Sequence, residues 1–337
     1  MQPKMNATYP MLSNLELALI GIGRWGQKIA KAVSGLAGCR LAIACDRDPD
    51  RLGAAPLPAT VQRVRHFEAV LADPRVQACI LATPAALHAE QALRALAAGK
   101  HVFVEKPMAL GHVDAQAISA AVVSSQRVLM VGHILQYDPT LGALTELAES
   151  GVLGSIEEVS ADRFTTTPEP AAEGVWWSLA PHDVSFLLDL LSASPVEAHA
   201  APLSLPGCRG EAMAGRFVFP SGAVARVRVA NGCERRVRRL KVTGSKAVAV
   251  YSEDGPTPQL RIASRPRAGE GAANIGVVRP SIEPDGRDNL TRELDHFLDC
   301  IRTGRAPKTD HRQGQLVVEV LERALFQPVD RTISTMR

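Results

Sequence analysis

The chain has 337 residues and 38 Lys+Arg against 35 Asp+Glu, a formal net charge of +3, with 46% hydrophobic residues spread in short runs. That length suits two domains better than one core, and so mild a charge excludes a chain built to hold nucleic acid electrostatically, leaving a small molecule as the expected partner. No run reaches the ~20 apolar residues of a membrane span, so no membrane partner is expected.

Residues 1–14 carry no apolar periodicity and are expected to form a flexible N-terminal arm. The first ordered element is Leu15 to Gly21, an apolar run of the kind shown by parallel strands covered on both faces. Gly21-Ile22-Gly23-Arg24-Trp25-Gly26 follows at once as G-x-G-x-x-G, and Ile29 and Val33 then fall one helical turn apart. In such a turn Gly21 permits the tight bend, Gly23 lets the backbone approach a pyrophosphate, and Gly26 lets the helix pack on the strand with its positive end toward the phosphates.

A second strand, Cys39 to Cys45, ends at Asp46, where an acid that accepts the adenosine ribose hydroxyls belongs. Its carboxylate favours NAD over NADP. Arg47 beside it leaves NADP open, because a guanidinium can bind a 2′-phosphate or stack on adenine. A helix from Phe67 to Leu71 and a buried strand from Gln77 to Ala82 follow, the strand stopped by Thr83-Pro84, which would line the crevice at the strand ends. His88 opens the next helix, which Gly99 terminates. It either touches the ligand from the first turn or packs locally.

Then His101 to Pro107, HVFVEKP, places Glu105 and Lys106 at the carboxyl end of a strand, the edge where ligands bind in open α/β sheets. By itself a Lys-Pro turn is as easily a surface feature. A helix from Asp114 to Ser124 and a strand from Val128 to Val131 complete a strand-helix alternation, a doubly wound parallel sheet over residues 15–138.

From about Pro139 the pattern changes, and residues 139–337 are expected to form a second domain. A helix from Thr140 to Glu149 precedes a strand from Ile156 to Arg163. The segment Thr165 to Gly174 is a loop fit to cover a substrate, with Trp176 and Trp177 either walling a pocket or serving as core. Pro181-His182-Asp183 reads as a helix start, where the positive end of the helix would favour neutral imidazole and make His182 a base. Four runs, Glu211–Phe219, Ala223–Ala230, Arg235–Thr243 and Ala247–Ser252, read as an antiparallel meander, with Arg226, Arg228, Arg236 and Arg238 at period two. Residues 253–288 read as irregular, and helices are expected over Asn289 to Thr303 and Gln313 to Phe326.

Six cysteines, Cys39, Cys45, Cys79, Cys208, Cys233 and Cys300, show no CxxC pair and no metal-ligand spacing. They are expected to be reduced, mostly buried thiols in a cytoplasmic protein, and no metal is indicated.

Taken together, GIGRWG, Asp46, ATPAALH, AGKHVFVEKP, VGHILQYDP and APHD resemble the Gfo/Idh/MocA oxidoreductases over nearly the whole chain. The resemblance implies an N-terminal Rossmann domain and a C-terminal α+β domain with a large open, mostly antiparallel sheet, often used for homodimer or homotetramer contacts. It implies that Lys106 binds substrate and acts in catalysis, and that His182 transfers a proton. Many members carry Asp four residues before that His; here the position is Ser178, as in the branch that oxidises the 3-hydroxyl of UDP-N-acetylglucosamine. The expected substrate is therefore a sugar or nucleotide sugar, with Tyr137, Arg163 and Trp177 as further substrate contacts. Inositol, free sugars and UDP-N-acetylhexosaminuronates are alternatives, as is a regulator that binds dinucleotide without turnover.

Overall fold

The computed structural model describes residues 14–167, 172–255, 257–265, 275–279 and 286–326. The expected N-terminal arm lies outside these, as does the middle of the loop expected between Thr165 and Gly174. The chain divides into two compact units, residues 1–134 with 287–315 and residues 135–286 with 316–337. The expectation of one uninterrupted second domain is thus corrected. Residues 287–315 return to the first unit because Leu290, Leu294, Phe297 and Ile301 make one apolar stripe that is buried there.

The first unit is built on six parallel strands: β1 (Leu15–Ile20), β2 (Cys39–Cys45), β3 (Gln62–Val64), β4 (Ala78–Leu81), β5 (His101–Glu105) and β6 (Leu129–Gly132). Their order is β3-β2-β1-β4-β5-β6. Every residue of β4, β5 and β6 is buried, as expected of strands covered on both faces. The helices are α1 (Arg24–Ser34), α2 (Pro49–Ala54), α3 (Phe67–Ala72), α4 (His88–Ala97), α5 (His112–Ser125) and α8 (Asn289–Thr303). Phe297 of α8 meets Phe103 of β5 edge-on, with ring centroids 5.7 Å apart. The strand order reverses between β1 and β4, and in a doubly wound sheet the crevice at that reversal is the ligand site.

The second unit contains α6 (Pro139–Glu149), α7 (Gly174–Leu190) and eight strands: β7 (Ile156–Phe164), β8 (Glu197–Pro202), β9 (Ala212–Val218), β10 (Val224–Ala230), β11 (Val237–Gly244), β12 (Ala247–Ser252), β13 (Gln259–Ser264) and β14 (Ile275–Val278). The order β14-β13-β12-β11-β7-β10-β9-β8 puts β7 at the centre, parallel to β10 and antiparallel to β11. The expected meander is therefore split, because β7 supplies the ladder partner on which β10 and β11 each close. β13 and β14 lie in the stretch expected to be irregular, their hydrogen bonds supplied by β12 and by each other. The sheet buries its alternate residues Ala225, Val227 and Val229 in one core with Val184, Leu187 and Trp176 of α7. On the other face Arg226 pairs with Glu158 and Arg228 with Asp162, so the arginines at period two meet acids on the neighbouring strand. The last helix, α9 (His311–Phe326), runs through the division between the units.

Two further expectations are corrected. Cys208 and Cys233 are joined by a disulfide, not reduced, because an antiparallel bridge sets their backbones side by side across 25 residues of chain. Cys39, Cys45, Cys79 and Cys300 are free thiols. His182 does not begin a helix: α7 runs from Gly174 with Pro181 inside it. The positive helix end is therefore too far away to act on His182, since that effect fades within the first turn.

Candidate active site

The glycine-rich turn joins β1 to α1 as its spacing requires. Gly21 has φ +91°, a conformation that side chains rarely adopt, and a Cβ there would stand 2.6 Å from the Ala82 carbonyl oxygen. At Gly26 a Cβ would lie 2.0 Å from the Gly21 carbonyl oxygen, so only glycine lets α1 start this close to the turn. Gly23 differs: a Cβ there would meet nothing within 4 Å. That open side is the approach a diphosphate needs, so the glycine pattern fits a dinucleotide on an observation independent of the motif.

Asp46 follows β2 and is held from both sides. Its Oδ2 accepts from the Ile22 N–H at 2.8 Å and its Oδ1 from the Asp48 N–H at 3.0 Å. The turn and the acid are thereby fixed to each other, leaving lone pairs for ribose hydroxyls. Both line a cavity of about 980 Å³ at the carboxyl ends of the strands, with Arg24, Trp25, Arg47, Thr83 and Pro84. Arg65 and Gln91 line the same cavity and were not anticipated. Arg65 escapes sequence reading because β3 has only three residues, too few to register as a strand whose end reaches the crevice. Gln91 sits one turn into α4, where its Oε1 accepts from the Thr83 hydroxyl at 2.6 Å. Arg47 and Arg65 are exposed, and among the described residues neither makes an ion pair.

His88 is not among the residues lining that cavity. It is 1% exposed, and its ring nitrogens sit 2.8 Å from the Pro107 carbonyl oxygen and 2.9 Å from that of Thr83. The ring therefore ties the end of β4 to the turn after β5, the local-packing alternative. Gly26, Glu105 and Lys106 also lie outside the lining. The cis Lys106–Pro107 bond turns the chain at the end of β5, where Lys106 is half-buried. The buried Glu105 carboxylate accepts from the Trp25 indole N–H. Burial raises its pKa to about 7, against the lowering effects of that hydrogen bond and of Lys106. His133, just after β6, is pushed down to about 3 by burial and, secondarily, by Lys106.

His182, Tyr137, Arg163 and Trp177 belong to the second unit. Arg163 has no exposed guanidinium to offer a phosphate: its Nε donates to Asp183 Oδ2 at 2.6 Å and its Nη2 to Asp183 Oδ1 at 2.8 Å, both side chains being buried. This bidentate pair anchors α7 to β7 one residue beyond His182. Trp176 is core, stacked on Phe217 with its N–H donated to the Leu321 carbonyl, whereas Trp177 and His182 are half-buried on α7. Tyr137 ends a short 3₁₀ turn, Ile134–Tyr137. Among the described residues there is no group of three or more His, Cys, Asp or Glu fit to hold a metal, and no helix long and apolar enough to cross a membrane.

Residues 15–133 match the model of the Gfo/Idh/MocA oxidoreductase family, NAD-binding Rossmann fold. The chain is 28% identical to inositol 2-dehydrogenase of Rhizobium meliloti over 86% of its own length and 89% of that protein. It is 25% identical to UDP-N-acetylglucosamine 3-dehydrogenase of Acidithiobacillus ferrooxidans over 90% and 94%. A solved structure of the Acidithiobacillus ferrooxidans enzyme shares the fold, with a TM-score of 0.79 at 23% identity, covering 93% of this chain and 97% of that one. With the open Gly23, the tethered Asp46 and the crevice at the strand-order reversal already in place, these matches identify residues 15–133 as an NAD-binding Rossmann domain of the Gfo/Idh/MocA type and the chain as an NAD-binding oxidoreductase that is similar over most of its length to dehydrogenases.

Proposed function

We propose that the protein oxidises a secondary hydroxyl of a sugar to the ketone, and that its substrate is a UDP-N-acetylhexosamine such as UDP-N-acetylglucosamine. The observation that carries the reading is Lys106, set by β5 at the ligand-binding edge of a dinucleotide domain whose crevice is lined by Asp46 and Thr83. NAD, when bound, supplies the acceptor for the hydride that leaves the carbinol carbon. Lys106 is the proposed hydrogen-bond donor that stabilises the negative charge developing on the hydroxyl oxygen, and His182 is the proposed proton acceptor. Tyr137 and Trp177 complete the substrate contacts. Arg163 orients α7 through Asp183 instead of binding phosphate.

Ser178, four residues before His182, supports the nucleotide-sugar branch, as does the Acidithiobacillus relative. A second reading, oxidation of an inositol, has its own support in the Rhizobium relative. In either case the enzyme works in the cytoplasm as a homodimer or homotetramer formed through the eight-stranded sheet. NADH formation from NAD is followed with UDP-N-acetylglucosamine, its hexosaminuronate counterpart, myo-inositol and free aldoses. Turnover of the first supports the proposal; turnover of inositol alone transfers the assignment to the second reading, and binding of NAD with no oxidation refutes both. Lys106→Ala should lower kcat by about a hundredfold or more, and full activity in that variant would remove Lys106 from the chemistry.

A further inference from the structure

Behind the Lys106 turn the first unit buries more ionisable groups than its visible hydrogen bonds satisfy. Glu293 of α8 is 1% exposed, and neither of its carboxyl oxygens receives a hydrogen bond from a donor among the described residues. The register of two elements says what it faces. Phe297, one turn further along α8, meets Phe103 of β5, and Glu105 follows Phe103 by two residues on the same side of that strand. Glu293 precedes Phe297 by four residues on the same face of the helix. This register sets Glu293 and Glu105 on the facing sides of α8 and β5, and the Glu105 charge adds to burial in raising the Glu293 carboxyl.

An ionised carboxylate with no donor is too costly to bury. A carboxylic acid is not, because it donates as well as accepts and needs only a carboxylate opposite. Glu105 offers that acceptor. Its Oε1 is taken by the Trp25 indole N–H, and its carboxyl group packs within 3.4 Å of the point where a Cβ on Gly132 would stand. Lys106 adds its own backbone N–H to Glu105. The other ionisable groups about the cluster are the Lys106 ammonium and His133 on the sheet side, with Arg292, Asp295 and His296 flanking Glu293 on α8. Burial keeps His133 uncharged, and it raises Glu293 far above the usual carboxylate range.

We propose that Glu293 is a positioning residue for the Lys106 turn, a neutral carboxylic acid that donates its proton to the Glu105 carboxylate. Glu105 is thereby clamped between α1, through Trp25, and α8, through Glu293, and the strand end carrying Lys106 is fixed from below. Glu293 touches neither cofactor nor substrate; it acts through Glu105. The inference rests on the proposed role of Lys106 only for its kinetic consequence.

Infrared spectroscopy of the full-length protein at about pH 9, above the value of about 7 to which burial raises Glu105, so that Glu105 is ionised in wild type and variant alike, tests it directly. The carbonyl stretch of a protonated carboxylic acid should be present, shift on deuteration and vanish in Glu293→Gln. Its absence, or its persistence in Glu293→Gln, overturns the proposal. In kinetics Glu293→Gln, whose amide still donates, should keep most of the wild-type kcat. Glu293→Ala should lower kcat by about tenfold to a hundredfold, with the KM for NAD little changed. Unchanged kcat in a folded Glu293→Ala protein would refute the positioning role. If instead Lys106→Ala stays active while the infrared band behaves as stated, the clamp stands and the assignment of Lys106 falls.

Discussion

Replacing Asp183 with Asn tests whether the buried Arg163–Asp183 pair holds α7 in place. The pair comprises two charge-assisted hydrogen bonds, 2.6 and 2.8 Å long, between side chains that are 9% and 7% exposed. Hydrogen bonds to charged groups contribute about 1.5–3 kcal/mol each, and removing one partner of a buried pair costs about 3–5 kcal/mol, because the other charge stays buried and uncompensated. Arg238 aggravates the loss. Burial and the Arg163 charge already lower its pKa to about 10, so a second cation stands close to the stranded guanidinium. Two units need not unfold in one transition, so the second must be observed alone. Trp176 and Trp177 lie in the second unit and Trp25 in the first, so urea unfolding followed by tryptophan fluorescence in a Trp25→Phe background reports the second. With a urea slope of about 1–3 kcal/mol per molar, Asp183→Asn should lower the midpoint by roughly 2 M. The double replacement Arg163→Met with Asp183→Leu should recover most of that loss. A shift below about 1 kcal/mol for Asp183→Asn, the range of an exposed ion pair, would refute the reasoning.

The open and closed glycines of the turn make a contrasting pair. Gly23→Ala should leave thermal stability unchanged while weakening NAD binding at least tenfold by titration, and Gly26→Ala should destabilise the fold because its Cβ would overlap the Gly21 carbonyl; equal stability of the two variants would contradict this. Glu105, raised to about 7 from its ordinary 4.5, holds its proton more tightly when folded, so its contribution is full below about pH 4.5 and is lost as pH rises through 7, about 3 kcal/mol in all. His133, lowered to about 3, contributes in the opposite sense, fully above about pH 6.5 and progressively less toward pH 3. Glu105→Gln should therefore gain stability relative to wild type between pH 4.5 and 7 in chemical denaturation, and identical pH dependence in the two proteins would sink the assignment. Cys208→Ser with Cys233→Ser should destabilise the second unit by roughly 3 kcal/mol, the loop-closure contribution of 25 residues, and an unaltered midpoint would show that the bridge constrains nothing.

What the sequence determined by itself was local. The G-x-G-x-x-G turn, the acid after β2 and the apolar runs of β1, β4 and β5 are legible because each depends on residues adjacent in the chain: a glycine forced by its φ, a carboxylate placed by the end of a strand, a strand buried on both faces. Asp46 and Thr83 could be assigned to the crevice on that basis, and the cavity contains them. The tertiary structure decided whatever depended on a partner distant in sequence. β7 enters the sheet between β10 and β11, a pairing that no local pattern encodes. Arg163 looks like an exposed strand arginine until α7 brings Asp183 against it. Cys208 and Cys233 look like solitary thiols until a backbone bridge joins them. His88 chose packing over ligand contact because two carbonyls, five and nineteen residues away, converge on its ring. Periodicity reports which face of an element is apolar, but only the fold determines which polar groups are shut away from water together, and that desolvation makes an arginine an anchor and a buried glutamate an acid.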